Sequence, residues 1–358
     1  MQIVNMLAAP RHIALLLPLS GALQEAGEAL WNGFLMAYYQ TADDARATVS
    51  LIDTEAGILA AYHRAITNGA DFIIGPLTKD HVKSVLQVAD SRIPTLTLNI
   101  STEAKNPREN FFQFALSPED EARQVASRLI TEGRRSGIVL NISGEWSNRV
   151  TNAFTTAFTA IGGTVVGTRT LSRDSTDMTD ELAPLLGFED SKRRFQSLTA
   201  IVGPLLFTPR HRDDISFVLA LANASMGRNI RPQLKYQYAG DLPVYSISDI
   251  HDPNPAANQD MEGVTFTDMP WLIGNTPEIN DLHNMAQQLW PERAWQKNRL
   301  FAMGYDSHQL MQQLANNTSH ESLAIAGLTG RLTIGPMGYI HRTLDWAVFD
   351  TDGHARAI

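Results

Sequence analysis

Short apolar runs alternate along this chain with segments whose apolar residues recur at helical spacing, and no other property restricts its fold so tightly. The first run, His12-Ile13-Ala14-Leu15-Leu16-Leu17-Pro18-Leu19, is continuous, as a strand buried on both faces of a parallel sheet must be. Ser20-Gly21 ends it. Trp31, Phe34, Leu35 and Tyr38 then stand at i, i+3, i+4 and i+7, the stripe of a helix laid on a sheet. The cycle recurs with a strand at 49–52, a helix at 58–67, a strand at 72–74, a helix facing the core through Val82, Val85, Leu86 and Ala89, and strands at 94–98 and 111–115. Such alternation predicts a doubly wound parallel sheet with right-handed crossovers.

A second series opens at Ser117-Pro118-Glu119-Asp120, where Ser117 suits a helix cap, Pro118 its first turn and the acids its positive end. Gly133 closes that helix. Strands are predicted at 137–142, 164–170, 200–202 and 244–247, and helices near 148–160, 178–186 and 214–224. After a Pro/Asn/Asp-rich loop at 251–260 come a strand at 263–267, helices near 278–289 and 299–314, and a C-terminal β-hairpin turning at Gly335-Pro336-Met337-Gly338. At 358 residues the chain exceeds the roughly 250–300 at which single cores stop growing. An α/β protein of two doubly wound lobes follows.

The chemistry excluded is as informative. With no cysteine, disulfides, thiolate metal sites and a cysteine nucleophile drop out, and no metal or cofactor is expected. None of the ten histidines stands in HExxH or His-x3-His spacing, and Asp306-x-His308 lies on a helix where i and i+2 do not face each other. Neither Gly-x-Ser-x-Gly nor a phosphate loop occurs; Ser143-Gly144-Glu145-Trp146-Ser147 lies at a strand-to-helix elbow without the flanking glycines. Asp53, Glu55 and Asp80 follow strands but pair with nothing identifiable, so no catalytic residue is assigned.

Formal charge is -9, and the densest basic run, Lys192-Arg193-Arg194, reads as a solvated helix face; nucleic acid is not expected as a partner. No stretch approaches the roughly 20 apolar residues of a membrane-spanning helix. Residues 1–10 lack the pattern of a signal peptide, so any targeting or lipid-anchor segment is expected outside this chain.

In doubly wound sheets, ligands sit beyond the carboxyl ends of the strands. Those positions are Ser20-Gly21-Ala22, Gly75-Pro76-Leu77-Thr78 and Asn99-Ile100-Ser101-Thr102 in the first lobe. In the second they are Gly144-Glu145-Trp146-Ser147, Gly203-Pro204 and Tyr245-Ser246. The candidate ligand contacts are therefore Ser20, Gly21, Gly75, Thr78, Asn99, Ser101, Glu145, Trp146 and Tyr245. Trp271, Trp290, Trp295 and Trp346 could mark a partner surface, with about one expected to be exposed.

Several segments carry a resemblance. The opening Ile13-Ala14-Leu15-Leu16-Leu17-Pro18-Leu19-Ser20-Gly21 and Gly33-Phe34-Leu35-Met36-Ala37-Tyr38-Tyr39 are followed by Asp71-Phe72-Ile73-Ile74-Gly75-Pro76-Leu77 and Pro94-Thr95-Leu96-Thr97-Leu98-Asn99. Arg299-Leu300-Phe301-Ala302-Met303-Gly304-Tyr305-Asp306, Gly330-Arg331-Leu332 and Trp346-Ala347-Val348-Phe349 complete the set. In this order they resemble the type I periplasmic-binding-protein fold, and more narrowly the C-terminal domain of LpoA-like (YraM-like) outer-membrane lipoproteins, activators of class A penicillin-binding proteins.

The resemblance implies lobes at 10–116 plus 268–326 and at 117–267 plus 327–358. It also implies a non-enzymatic regulator of peptidoglycan synthesis in the periplasm, with a class A penicillin-binding protein as partner and the membrane reached only through an N-terminal lipid anchor outside this chain. The alternative is a periplasmic solute receptor holding a small amino-acid-like or amide ligand in the interlobe cleft. Amino-acid-binding relatives carry Ser/Thr directly after the third strand, whereas Pro76-Leu77 precede Thr78 here, which weighs against a free amino acid. An enzyme is the third option.

Overall fold

Each apolar run at the start of the chain becomes a strand. In the computed structural model, β1 (His12–Leu17), α1 (Gln24–Gln40), β2 (Thr48–Asp53), α2 (Ile58–Thr67), β3 (Phe72–Ile74), α3 (Lys79–Val88), β4 (Thr95–Thr97) and β5 (Phe111–Phe114) alternate as expected. The structure describes all residues except 1–9, 43–45, 102–108, 173–176, 204–205, 207–209, 295–297 and 317–323. The five strands are parallel in the order β2-β1-β3-β4-β5. Successive residues of β1 serve opposite faces: Ile13, Leu15 and Leu17 pack with Leu30 and Phe34 of α1, while Ala14 and Leu16 pack with Ile58, Tyr62 and Val85 of α2 and α3. A strand covered on both sides has no solvent face, which is why its sequence is apolar without a break.

The second series forms α4 (Pro118–Thr131), β6 (Ser136–Ile142), α5 (Glu145–Ala160), β7 (Thr164–Leu171), α6 (Thr179–Leu186), α7 (Phe188–Val202), β8 (Val218–Leu221), α8 (Ala224–Tyr236), β9 (Val244–Ser246) and β10 (Thr265–Asp268). Two expectations are corrected here. The strand predicted at 200–202 is the end of α7, and the helix predicted near 214–224 contains β8, with the true helix α8 behind it. Short apolar runs do not themselves distinguish strand from helix; here caps decide. Gly203, at φ +87°, ends α7, and the Asn223 side chain accepts the Met226 N–H at 3.0 Å to start α8.

After α9 (Pro270–Ile273), α10 (Pro277–Leu289) and α11 (Arg299–Asn316), the tail supplies β11 (Ala324–Gly327), β12 (Gly330–Ile334), β13 (Tyr339–Thr343), β14 (Asp345–Phe349) and β15 (Ala355–Ala357). The hairpin expected to turn at Gly335–Gly338 is β12-β13, and the tail adds further strands to it. β13 joins β5 in parallel and carries antiparallel β12 and β11, whereas β14 extends the other sheet antiparallel to β10 and β15 pairs antiparallel with β14. The compact units are accordingly Met1–Leu116 with Met269–Leu344, and Ser117–Asp268 with Asp345–Ile358. The stretch 327–344, expected in the second lobe, lies in the first unit, because β12 and β13 find their partner in β5.

Two features of the first unit tie α11 to its surroundings. Gly33 of α1 and Gly304 of α11 lie at the crossing of the two helices: a Cβ on Gly33 would fall 1.9 Å from the Phe301 carbonyl oxygen, and one on Gly304 would fall 2.0 Å from that of Leu30. Asp306, fully buried, accepts the Leu328 N–H at 2.8 Å, the Thr329 N–H at 2.7 Å and the Thr329 hydroxyl at 2.5 Å, locking the turn between β11 and β12 onto the helix. Arg342 of β13, also buried, donates to the carbonyls of Thr329 and Ala115, each at 3.1 Å.

Candidate functional site

Each sheet has parallel strands in the same order, β2-β1-β3-β4-β5 in one unit and β7-β6-β8-β9-β10 in the other. This order puts the topological switch point between β1 and β3 in the first unit and between β6 and β8 in the second, and the carboxyl ends of those strands are where such sheets bind.

In the first unit this edge is knit together by its own polar groups. Asp53, ending β2, accepts the Ser20 hydroxyl at 2.6 Å, the Leu19 N–H at 2.9 Å and the Glu55 N–H at 3.0 Å. The Ser20 hydroxyl first, then these amides, holds the Asp53 carboxyl below the usual carboxylate range, so it stays an acceptor. Gly21, at φ +72°, brings the backbone against Glu55: a Cβ there would lie 2.8 Å from its carboxylate oxygen. Gly75 is buried with φ +103° beside the Leu16 carbonyl. The Thr78 side chain accepts the His81 N–H at 3.3 Å and caps α3. Asn99 uses both ends of its carboxamide, donating to the Leu77 carbonyl at 2.9 Å and accepting the Ile100 N–H at 2.9 Å. Ser101 is buried, its N–H donating to Gln113 Oε1 at 2.8 Å and its carbonyl accepting the Tyr339 hydroxyl at 3.3 Å.

The second unit separates its candidates. At the end of β6, Glu145 is exposed, 3.8 Å from Arg149, while Trp146 is half-buried against the core of α4 and α5. Ser147 is buried, and its hydroxyl has no partner among the described residues. Tyr245 faces the other way. Its hydroxyl donates to Glu132 and accepts from Arg134 Nε at 3.1 Å, beyond the end of α4, and Arg134 in turn donates to the Ser216 carbonyl ahead of β8 at 2.8 Å. This is the amino edge of the sheet, so Tyr245 joins none of the carboxyl-edge residues. Burial, then the Glu132 carboxylate, raises its hydroxyl above the ordinary tyrosine range. Gly203 follows a helix rather than a strand; Pro204, Thr102 and Trp295 lie outside the described residues. The exit of β8 is Ala222-Asn223, signalled in the sequence only by the cap at Asn223.

Tyr245→Phe is expected to lower stability by about 1–2 kcal/mol, since it leaves Glu132 and Arg134 short of a partner. In a unit of this size that is a Tm shift of about 2–4 °C per kcal/mol, measurable by calorimetry.

Among the tryptophans, Trp271 is buried and Trp290 and Trp346 are half-buried, the last beneath the Arg128 guanidinium at 4.7 Å. Asp350, Asp352 and His354 bring three ligand atoms within 4.8 Å of one another, but Asp350 accepts the N–H groups of the other two and the Arg356 guanidinium, which is a turn lock. No helix among the described residues is long and apolar enough to cross a membrane.

His308 is buried edge-on against Phe34, ring centroids 5.1 Å apart, beside a pocket of about 220 Å3 that it lines with Tyr38 and Met311. Burial pushes it down to about 4. The folded value lies below the unfolded 6.5, so the unfolded chain takes up the proton first and stability is lost as pH falls from 6.5 towards 4. The loss amounts to about 3 kcal/mol at the low end. His308→Phe, whose ring the pocket can take, is expected to remove that part of the slope in urea titrations at pH 7, 5.5 and 4.5.

At the carboxyl end of β10, His251 Nδ1 lies 2.7 Å from the Asp268 carboxylate, and both are buried. The family model described as "LppC putative lipoprotein" matches residues 2–352. The chain belongs to the LppC family. Penicillin-binding protein activator LpoA of Vibrio cholerae is 31% identical over 346 residues, which is 94% of this chain and 57% of that protein. The chain therefore spans little more than half the length of such relatives. The structure of the LpoA (YraM) C-domain from Haemophilus influenzae, a regulator of PBP1A, superposes with a TM-score of 0.73 at 22% identity, covering 97% of this chain and 99% of that one. An ABC transporter substrate-binding protein from Sphaerobacter thermophilus matches with a TM-score of 0.66 at 15% identity over 97% of this chain and 96% of that one, a likeness of fold alone. The LppC chain thus has the expected α/β architecture, and its named relatives are activators or regulators rather than enzymes.

Proposed function

We propose that this chain is the regulatory module of an LpoA-type lipoprotein and activates a class A penicillin-binding protein by contact. The observation that carries the reading is the family match across nearly the whole chain, together with relatives named as penicillin-binding protein activators. The carboxyl edge of the first unit supports it. Ser20, Thr78 and Asn99 are engaged in fixing turns, which suits a rigid docking body better than a receptor with donors in reserve.

Activation by contact requires tighter binding to the active conformation of the synthase than to the resting one; a tenfold stimulation needs roughly 1.4 kcal/mol of difference. The same reading puts the module in the periplasm, tethered to the outer membrane by the lipoprotein's anchor. The test is purified full-length protein added to the class A penicillin-binding protein of the same bacterium. Co-precipitation and faster transpeptidation are expected, and absence of both overturns the proposal. A saturable thermal shift with a single small metabolite, without either effect, would favour the solute receptor instead.

A further inference from the structure

We infer that the pocket beside His308 is a binding site for a small uncharged ring compound carrying a hydroxyl or carbonyl oxygen, separate from the carboxyl edges of both sheets and independent of the activator reading. Its place follows from the helix crossing. Gly304, His308, Met311, Gln312 and Ala315 stand at i, i+4, i+7, i+8 and i+11, one stripe of α11 that begins at the glycine contact with α1. Helices that cross at an angle separate beyond their closest approach. Past that point the last four of these residues line a cavity of about 220 Å3, together with Tyr38 of α1 and Ile13 near the amino end of β1. An apolar cavity of about 150 Å3 takes benzene, so this one has room for a six-membered ring with a substituent.

The lining sets the chemistry of the ligand. Ile13, Met311, Ala315 and the Tyr38 ring give apolar walls, and no carboxylate stands among the lining residues, so an ammonium group finds no counter-charge. The guanidinium in the wall, Arg46, donates to the Tyr39 and Thr41 carbonyls, each at 2.8 Å, and is already engaged when an anion arrives. His308 is only 2% exposed, and its Nδ1 is buried with no hydrogen-bond partner among the described residues. None of them bonds Nε2 either, which makes Nε2 the ring nitrogen left at the pocket wall. Burial keeps the ring neutral down to about 4. A neutral imidazole carries one proton, and on Nδ1 that proton would be stranded, so it sits on Nε2 as a donor to the cavity. A hydroxyl or carbonyl oxygen is the group that accepts it.

The test uses the full-length protein with phenol as probe, and with toluene, benzylamine and benzoate as its apolar, cationic and anionic counterparts. Phenol is expected to bind saturably in calorimetry and to raise Tm with concentration. His308→Phe, of similar shape, should weaken phenol about fivefold or more, the effect of one hydrogen bond, and leave toluene as tight as before or tighter. Ala315→Leu fills the pocket and should abolish binding of both with no loss of Tm. If that variant does not fold, Ala47→Leu, also in the lining, takes its place.

Phenol bound as tightly in His308→Phe as in wild type, or toluene lost together with phenol, overturns the proposal, because the imidazole would then contribute no hydrogen bond. Unchanged binding in the filled pocket places phenol elsewhere and overturns the site. Tighter binding of benzylamine or benzoate overturns the uncharged class. The absence of saturable phenol binding in wild type, with water as the only partner of His308, overturns the proposal outright. None of these results bears on stimulation of a synthase, so the activator reading stands or falls by its own test.

Discussion

Asp306→Ala is expected to cost about 3–5 kcal/mol and to release the turn between β11 and β12 from α11. The carboxylate serves three donors, two of them backbone amides that no water reaches, and it lies close to the buried Arg342 guanidinium. Removing one partner of such a cluster leaves the others buried and uncompensated, which is far costlier than the net worth of any one bond. Asp306→Asn keeps one acceptor and should lose less. Hydrogen exchange gives the local readout: the Leu328 and Thr329 amides should lose protection while those of β6 and β8 keep it.

The pH dependence has a definite sign. Burial pushes Asp306 up to about 6, against the hydrogen bonds from Thr329 and Leu328, so between 6 and 3.8 the folded state holds the proton that the unfolded chain gives up. Asp306 therefore adds stability as pH falls through that window, opposite to His308 two residues on. The two partly cancel in the wild type. In Asp306→Asn the acid loss due to His308 should stand uncovered and steeper, and equal slopes in the two proteins would overturn the assignment.

The second large effect is expected at the crossing of α1 and α11. A methyl group at Gly304 would sit 2.0 Å from the Leu30 carbonyl oxygen, so Gly304→Ala must force two backbones apart by more than an ångström. Overpacking against side chains usually costs about 1–3 kcal/mol because they can turn away. A carbonyl in a helix cannot, and a loss of about 3 kcal/mol or more is expected by urea denaturation. Gly33→Ala should do the same from the other side. Combined, the two should cost clearly less than their sum, since helices already separated have room for the second methyl.

Much of this was legible beforehand, for reasons that differ by element. β1 and α1 could be read because burial on two faces and on one stripe leave different periods; yet the deepest residues of α1 include Leu30, Gly33 and Ala37, off the stripe of Trp31, Leu35 and Tyr38, because α11 covers a face that the sheet does not. Gly33 and Gly304 lay within the family-like segments, but the contact between them joins residues hundreds of positions apart. The same holds for Tyr245, whose partner Glu132 is 113 residues away and on the opposite edge from the one its strand position suggested. β8 was missed because Val-Leu-Ala-Leu suits either state until Asn223 is recognised as a cap. The hairpin of the tail was legible from its turn residues, but its place beside β5 was not, because alternation marks a strand without naming its neighbour. At the carboxyl edge, Ser20, Thr78 and Asn99 could be placed beyond the strand ends and named as candidate ligand contacts, while their partners Asp53, His81 and Leu77 depend on distances no sequence contains.

The division of the tail has a consequence for how the molecule is made. Of the two units, the first starts earlier in the sequence but lacks α11, β12 and β13 until 117–268 has been made. Until then the face of α1 carrying Leu30, Gly33 and Phe34 waits without its cover, while 117–268 can already gather around five consecutive strands. Of these two units, the one begun earlier thus waits on residues that follow the other, and during that interval its half-built sheet exposes apolar surface that a chaperone can cover.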